Sequence, residues 1–115
     1  MAAAIPDIML SAVSDLSKII EDTIHDKLKK IILYGSFSRG DYSSESDVDI
    51  LILTDLPEQE FNELDCRLDD ISAELSLKYG LVIIPLLKNI SPFLSYSNVL
   101  PFYNNIVKEG IVMYG

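Results

Sequence analysis

Two carboxylates, Asp47 and Asp49, stand two residues apart at the head of the apolar run Ile50-Leu51-Ile52-Leu53. In a strand, positions i and i+2 share a face, so both carboxylates project together while Val48 and Ile50 point into a core. Converging carboxylate oxygens suit Mg²⁺, which keeps several waters and takes the rest of its shell from substrate phosphates. Upstream, the run Ile31-Ile32-Leu33-Tyr34 stops at Gly35-Ser36. Gly35 has no Cβ, so a phosphate can approach the backbone closely. The N–H groups that follow, with the Ser36 hydroxyl, form an anion site where a helical turn opens. A phosphate cradle at one strand end facing a carboxylate pair on the next strand is what phosphoryl or nucleotidyl transfer requires. That chemistry is mostly positioning and charge stabilisation. Arg39 lies between the two groups and, read from the residues alone, is a surface cation able to pair with Asp41 or Glu45. Two like charges held side by side against an apolar strand are costly without a cation, which argues against idle loop acids.

These groups need elements to hold them. Ile5, Ile8, Met9, Ala12, Val13, Leu16, Ile19, Ile20 and Ile24 recur every three or four residues, which predicts an amphipathic helix over residues 6–26. Lys27, Lys29 and Lys30 then fall at its C-terminal end, where they suit the helix dipole. His25 lies in the last turn and reads as a surface residue compatible with the same dipole. Residues 31–34 read as a buried strand and 36–46 as a helical turn plus loop. Residues 48–53, VDILIL, read as a central strand covered on both faces. A second amphipathic helix spans 58–79 and ends at Gly80, with Cys66 as a small apolar residue within it. Residues 81–87, LVIIPLL, form a third strand, confined to an edge or a strand end by Pro85. Ser91-Pro92 and Leu100-Pro101 bracket two short helical pieces, the second reaching about residue 108. Gly110 turns the chain into a candidate fourth strand at 111–114. The expected fold class is α/β (α+β): a small mixed β-sheet with helices packed on it.

Composition narrows the setting. The 115 residues make a single domain, 1–115, large enough for a core without metal or disulfide staples. Nine Lys plus Arg against eighteen Asp plus Glu give a net charge of -9. A duplex nucleic acid would meet a repulsive field, so no stable nucleic-acid binding is expected, whereas a basic protein partner suits the charge. One cysteine allows no internal disulfide and fits a reducing compartment. The start, MAAAIPDIML, has no basic region ahead of its apolar run and does not read as a signal peptide. No run approaches the length of a membrane span. The expectation is a soluble cytoplasmic domain with no membrane partner.

Gly35-Ser36, ten residues, then Asp47-x-Asp49 resembles the GSx10DxD signature of the DNA polymerase β-type nucleotidyltransferase superfamily. The small size is similar to that of the minimal nucleotidyltransferases (MNT). The resemblance implies the nucleotidyltransferase fold and transfer of a nucleoside monophosphate from an NTP, usually ATP, with Mg²⁺ and release of pyrophosphate. It implies that Gly35, Ser36 and Arg39 hold the triphosphate, and that Asp47 and Asp49 are the catalytic metal ligands. Many members carry a third acidic residue on a later strand. Here that strand, Leu81 to Leu87, has none, and no Asp or Glu stands between Glu74 and Glu109. MNT proteins commonly accompany a HEPN-domain protein. The implied function is therefore an antitoxin that attaches AMP to a tyrosine of a HEPN ribonuclease toxin. The alternative is a catalytically weak binding module that neutralises its partner by complex formation. Modifiers of small molecules resemble this core plus a substrate-binding domain that 115 residues do not supply. The tail from Ser91 onward, apolar, aromatic and poor in charge, reads either as core packing or as a partner-facing patch.

Overall fold

A computed structural model describes residues 6–39 and 47–115, without the side chains of Ser36 and Arg39. The expected place of Ile5 on the first helix, the loop over 40–46 and any pairing of Arg39 with Asp41 or Glu45 lie outside the described residues.

Helix α1 (Asp7–Ile24) buries Met9, Ala12, Val13, Leu16 and Ile20 of the stripe its periodicity predicts, whereas Ile8 is exposed. It ends two residues earlier than expected, where His25–Lys27 tighten into a 3₁₀ turn. Lys29 and Lys30 belong instead to strand β1 (Leu28–Tyr34). Ladder pairing with the next strand begins at Leu28 and outweighs the local helical pattern, with a bulge between Leu28 and Lys30. Lys29 reaches the Asp55 carboxylate at 3.5 Å. The expected dipole role of these lysines is therefore corrected: the last turn of α1 holds no basic residue.

Then come α2 (Ser36–Arg39), β2 (Val48–Thr54), α3 (Phe61–Tyr79), β3 (Ile83–Asn89), α4 (Ile90–Tyr96), α5 (Pro101–Glu109) and β4 (Ile111–Tyr114). Among the described residues the four strands form one mixed sheet in the order β3-β2-β1-β4. Strand β1 runs antiparallel to β2 and β4, and β2 runs parallel to β3. A parallel pair needs a crossover, which α3 provides. Gly80 closes α3 in the left-handed region at φ 66, donating its N–H to Ser76 O at 2.9 Å. Leu81 N–H also turns back to Ser76 O, so β3 starts at Ile83 rather than Leu81. At its other end β3 runs on to Asn89, whose side chain caps α4 by accepting from Ser91 N–H. Pro85 sits on this edge strand, as a residue without an N–H should.

Helices cover both faces, as the expected fold class requires. On one face α1 and α3 pack over Val48, Ile50 and Ile52 of β2, with Ile31, Leu33, Ile83 and Leu87 beside them. On the other, α4 and α5 set Phe93 and Ile106 over Ile32, Leu51 and Leu53. Strand β2 is buried from both sides, which explains its unbroken apolar run. The tail divides between the two readings: Phe93 and Ile106 are core, while Leu94, Tyr96, Val99, Leu100 and Phe102 stay exposed. Cys66 is exposed on α3 rather than packed among apolar neighbours. Among the described residues no helix is long and apolar enough to cross a membrane.

Candidate functional site

Because β1 and β2 are antiparallel, the end of one and the start of the other meet at the same end of the sheet. Tyr34 lies directly across the ladder from Asp49. Gly35, the next residue, adopts φ 80, a left-handed conformation that side chains other than glycine rarely tolerate. A Cβ at that position would collide with the Asp49 carboxylate and stand 3.3 Å from its Cγ. The glycine turn and the acidic strand are thus in direct register. Ser38 Oγ donates to Gly35 O at 2.9 Å and steadies the turn, while buried Phe37 anchors α2 in the core. On the far side, Val48 N–H donates to Val82 O at 2.7 Å and ties the entry of β2 to β3.

Asp49 is half-buried in β2, and Asp47 is exposed immediately before the strand begins. Asp49 belongs to the face of α4 and α5, since its ladder partners Tyr34 and Ile84 flank it there. Its negative charge is felt by Tyr34, whose phenol is held above its ordinary pKa first by burial and then by Asp49. Ile84 occupies the point of β3 opposite Asp49 and is 42% exposed, while Ile83 beside it is 6% exposed and faces the core.

A cleft of about 410 Å³ opens over this end of the sheet. Tyr34, Gly35 and Asp49 form one wall. Helix α5 forms the other through Phe102, Asn105, Ile106 and Glu109. Phe102 sits edge-on to Tyr34 with ring centroids 5.7 Å apart, which fixes the helix against the strand. Two carboxylates two positions apart, one at the cleft wall and one at the strand entry, fit a hard divalent cation that takes its other ligands from water and phosphate. Among the described residues no three His, Cys, Asp or Glu side chains gather closely enough to hold a metal by themselves.

Of the expected site residues, the structure brings Gly35 and Asp49 together and sets Asp47 at the strand entry. Ser36 and Arg39 lie at the first and last positions of α2, but their side chains are outside the described residues. Phe102 and Asn105 are cleft residues that no motif marks. Their only sequence signal is the aromatic, charge-poor tail, and nothing in its pattern says that α5 folds back over β1.

A mixed sheet with a glycine turn against an acidic strand, open to a nucleotide-sized cleft, is the architecture of a nucleotidyl-transfer domain. The chain belongs to the nucleotidyltransferase domain family, whose model matches residues 13–112. It is 36% identical over 103 residues to a candidate protein adenylyltransferase of Methanocaldococcus jannaschii, covering 90% of this chain and 95% of that one. A second candidate protein adenylyltransferase of the same organism is 36% identical over 80 residues, 69% of this chain and 78% of the relative. Among solved structures, a chain of a toxin–antitoxin crystal structure with AMP-PNP superposes with a TM-score of 0.55 at 21% identity, over 89% of this chain and 72% of that one. A chain of the complex between tri-AMPylated Shewanella oneidensis HEPN toxin and MNT antitoxin gives a TM-score of 0.51 at 18% identity, over 94% and 72%. These superpositions establish the shared fold.

Proposed function

We propose that this protein is an Mg²⁺-dependent adenylyltransferase that moves AMP from ATP to a tyrosine of a HEPN-domain ribonuclease toxin, acting as its antitoxin. The observation that carries the reading is Gly35 at φ 80 against the Asp49 carboxylate. That contact packs the glycine turn at the end of β1 directly against a candidate metal ligand at the start of β2. Asp47 and Asp49 would hold Mg²⁺, which when bound neutralises phosphate charge and orients the α-phosphorus. Gly35 and the N–H groups of α2 border the triphosphate, with the Ser36 hydroxyl and Arg39 as further contacts. The acceptor oxygen attacks the α-phosphorus, the bond to the β-phosphate oxygen breaks, and pyrophosphate leaves while the hydroxyl proton passes to solvent or a partner base.

The acceptor assignment draws on the adenylyltransferase relatives, on the AMPylated HEPN toxin found with a structural neighbour, and on the net charge of -9, which suits a basic partner. It also draws on Ile84. With no carboxylate opposite Asp49, β3 supplies no third acid, and the acid that does line the cleft, Glu109, stands across it on α5 as a candidate base. A phenol, pKa about 10, asks less of a base than water or a sugar hydroxyl.

The same Ile84 favours a second reading: a nucleotide-binding module that neutralises its partner by complex formation alone. Radiolabelled ATP with Mg²⁺ and a purified HEPN-domain partner separates the two. Label on a partner tyrosine, lost with Asp47→Asn/Asp49→Asn, supports the enzyme. Neutralisation without label supports the binding module, and neither label nor complex overturns both.

A further inference from the structure

We infer that helix α5 is the base-reading wall of the nucleotide site, with Phe102 stacking on the nucleobase and Asn105 selecting adenine. This inference rests on the nucleotidyltransferase reading of the same cleft and assigns the part of it that the Gly35 turn and the acidic pair leave unexplained.

The cleft is continuous from Gly35 and Asp49 to α5, and about 410 Å³ falls within the range of sites that take small ligands. Gly35 and Asp49, the described residues assigned to the phosphates and the metal, lie on the sheet side. A nucleotide with its phosphates there must direct its uncharged end at the opposite wall. That wall offers an aromatic ring and a carboxamide one helical turn apart, at positions 102 and 105 of α5, with the Glu109 carboxylate a turn further on. Phe102 is 45% exposed although its edge contact with Tyr34 holds it in place, so a ring face remains for stacking. Bases stack on aromatic rings whatever their identity, so Phe102 contributes affinity without selectivity.

Asn105 supplies the selectivity. It is exposed at the cleft wall, and its carboxamide makes no hydrogen bond among the described residues. A carboxamide presents one donor and one acceptor side by side, which matches the N6–H₂ donor and N7 acceptor of adenine. Guanine places an acceptor, O6, where adenine places its donor, so it loses half of that pairing. A carboxylate at the same position has acceptors only: it still accepts from adenine N6–H₂ but meets only acceptors, O6 and N7, on guanine. The substitution Asn105→Asp should therefore weaken both nucleotides yet keep adenine preferred, whereas Asn105→Ala should lose the preference, a contrast that loss of structure does not produce.

The test is equilibrium binding of Mg-ATP and Mg-GTP to the full chain by calorimetry, with Phe102→Ala, Asn105→Ala and Asn105→Asp. Wild-type protein should favour ATP by about tenfold, the discrimination expected of one bidentate contact. Asn105→Ala should bring the ATP-to-GTP ratio near one, and Asn105→Asp should keep it above one while weakening both nucleotides. Phe102→Ala should weaken both nucleotides alike by about tenfold. Nucleotide binding with the same ratio in all three variants overturns the inference and leaves the nucleotidyltransferase reading standing. Failure of wild-type protein to bind either nucleotide overturns both.

Discussion

Ile84 stands directly across the β2–β3 ladder from Asp49, on the face of the sheet that opens to the cleft. Its neighbour Ile83 pairs with Val48 and points the other way, into the core under α1 and α3. An acid introduced at these adjacent positions therefore meets opposite environments. Ile84→Asp should fold, tighten Mg²⁺ binding and gain stability on adding Mg²⁺, because the cation relieves its repulsion with Asp49. Ile83→Asp should lose on the order of 3–5 kcal/mol by burying an unpaired charge. Urea unfolding of both variants with and without Mg²⁺ checks this. An Ile84→Asp protein indifferent to Mg²⁺ would remove Asp49 from the metal site.

The acidic pair gives the second prediction. Asp47→Asn/Asp49→Asn should retain the fold, with stability within about 1 kcal/mol of wild type, since Asp47 is exposed and Asp49 only half-buried. Transfer of AMP should fall by at least about 100-fold with the loss of the metal ligands. Circular dichroism and labelled-ATP transfer read the two effects apart, and undiminished transfer would contradict the assignment.

Gly35 carries two burdens at once. The motif predicts that Gly35→Val weakens nucleotide binding more than folding unless Gly35 needs a positive φ, in which case destabilisation dominates, and its φ of 80 meets that condition. A side chain there must adopt φ 80 and displace the Asp49 carboxylate. Gly35→Ala should therefore cost about 1–3 kcal/mol from backbone strain and also weaken Mg-ATP binding. Binding measured well below the melting temperature separates the two. Wild-type nucleotide affinity in a folded Gly35→Ala protein would count against the phosphate cradle.

Tyr34 provides a pH signature. Burial, and then the Asp49 charge, favour the neutral phenol in the folded state. The folded pKa thus lies above the unfolded one, and the stability this contributes is fully present below the unfolded pKa of about 10. It is lost as pH rises through the folded value, because the unfolded chain releases this proton first. Asp49→Asn should lower the Tyr34 pKa by removing the neighbouring charge. Ultraviolet phenolate titration of the variant against wild type measures the shift, and a phenol that does not move would place the two groups out of electrostatic contact.

The elements were largely legible in the residues. The stripe of α1, the doubly buried run of β2, the edge position of Pro85 and the Gly80 stop of α3 all follow from local periodicity and backbone chemistry, which depend on neighbours in the chain. The spacing of Gly35-Ser36 and Asp47-x-Asp49 likewise identifies the family without coordinates, because that motif is a local pattern of residue types. Lys29 and Lys30 escaped this logic because β1 starts where cross-strand pairing begins, and pairing is not local. Only the tertiary structure decided that Gly35 packs against Asp49, that Ile84 rather than Ile83 stands opposite Asp49, and that Phe102 and Asn105 wall the cleft. Each of these depends on register between strands or on a helix docking across the sheet. Such contacts join residues far apart in sequence, and no period in the chain encodes them.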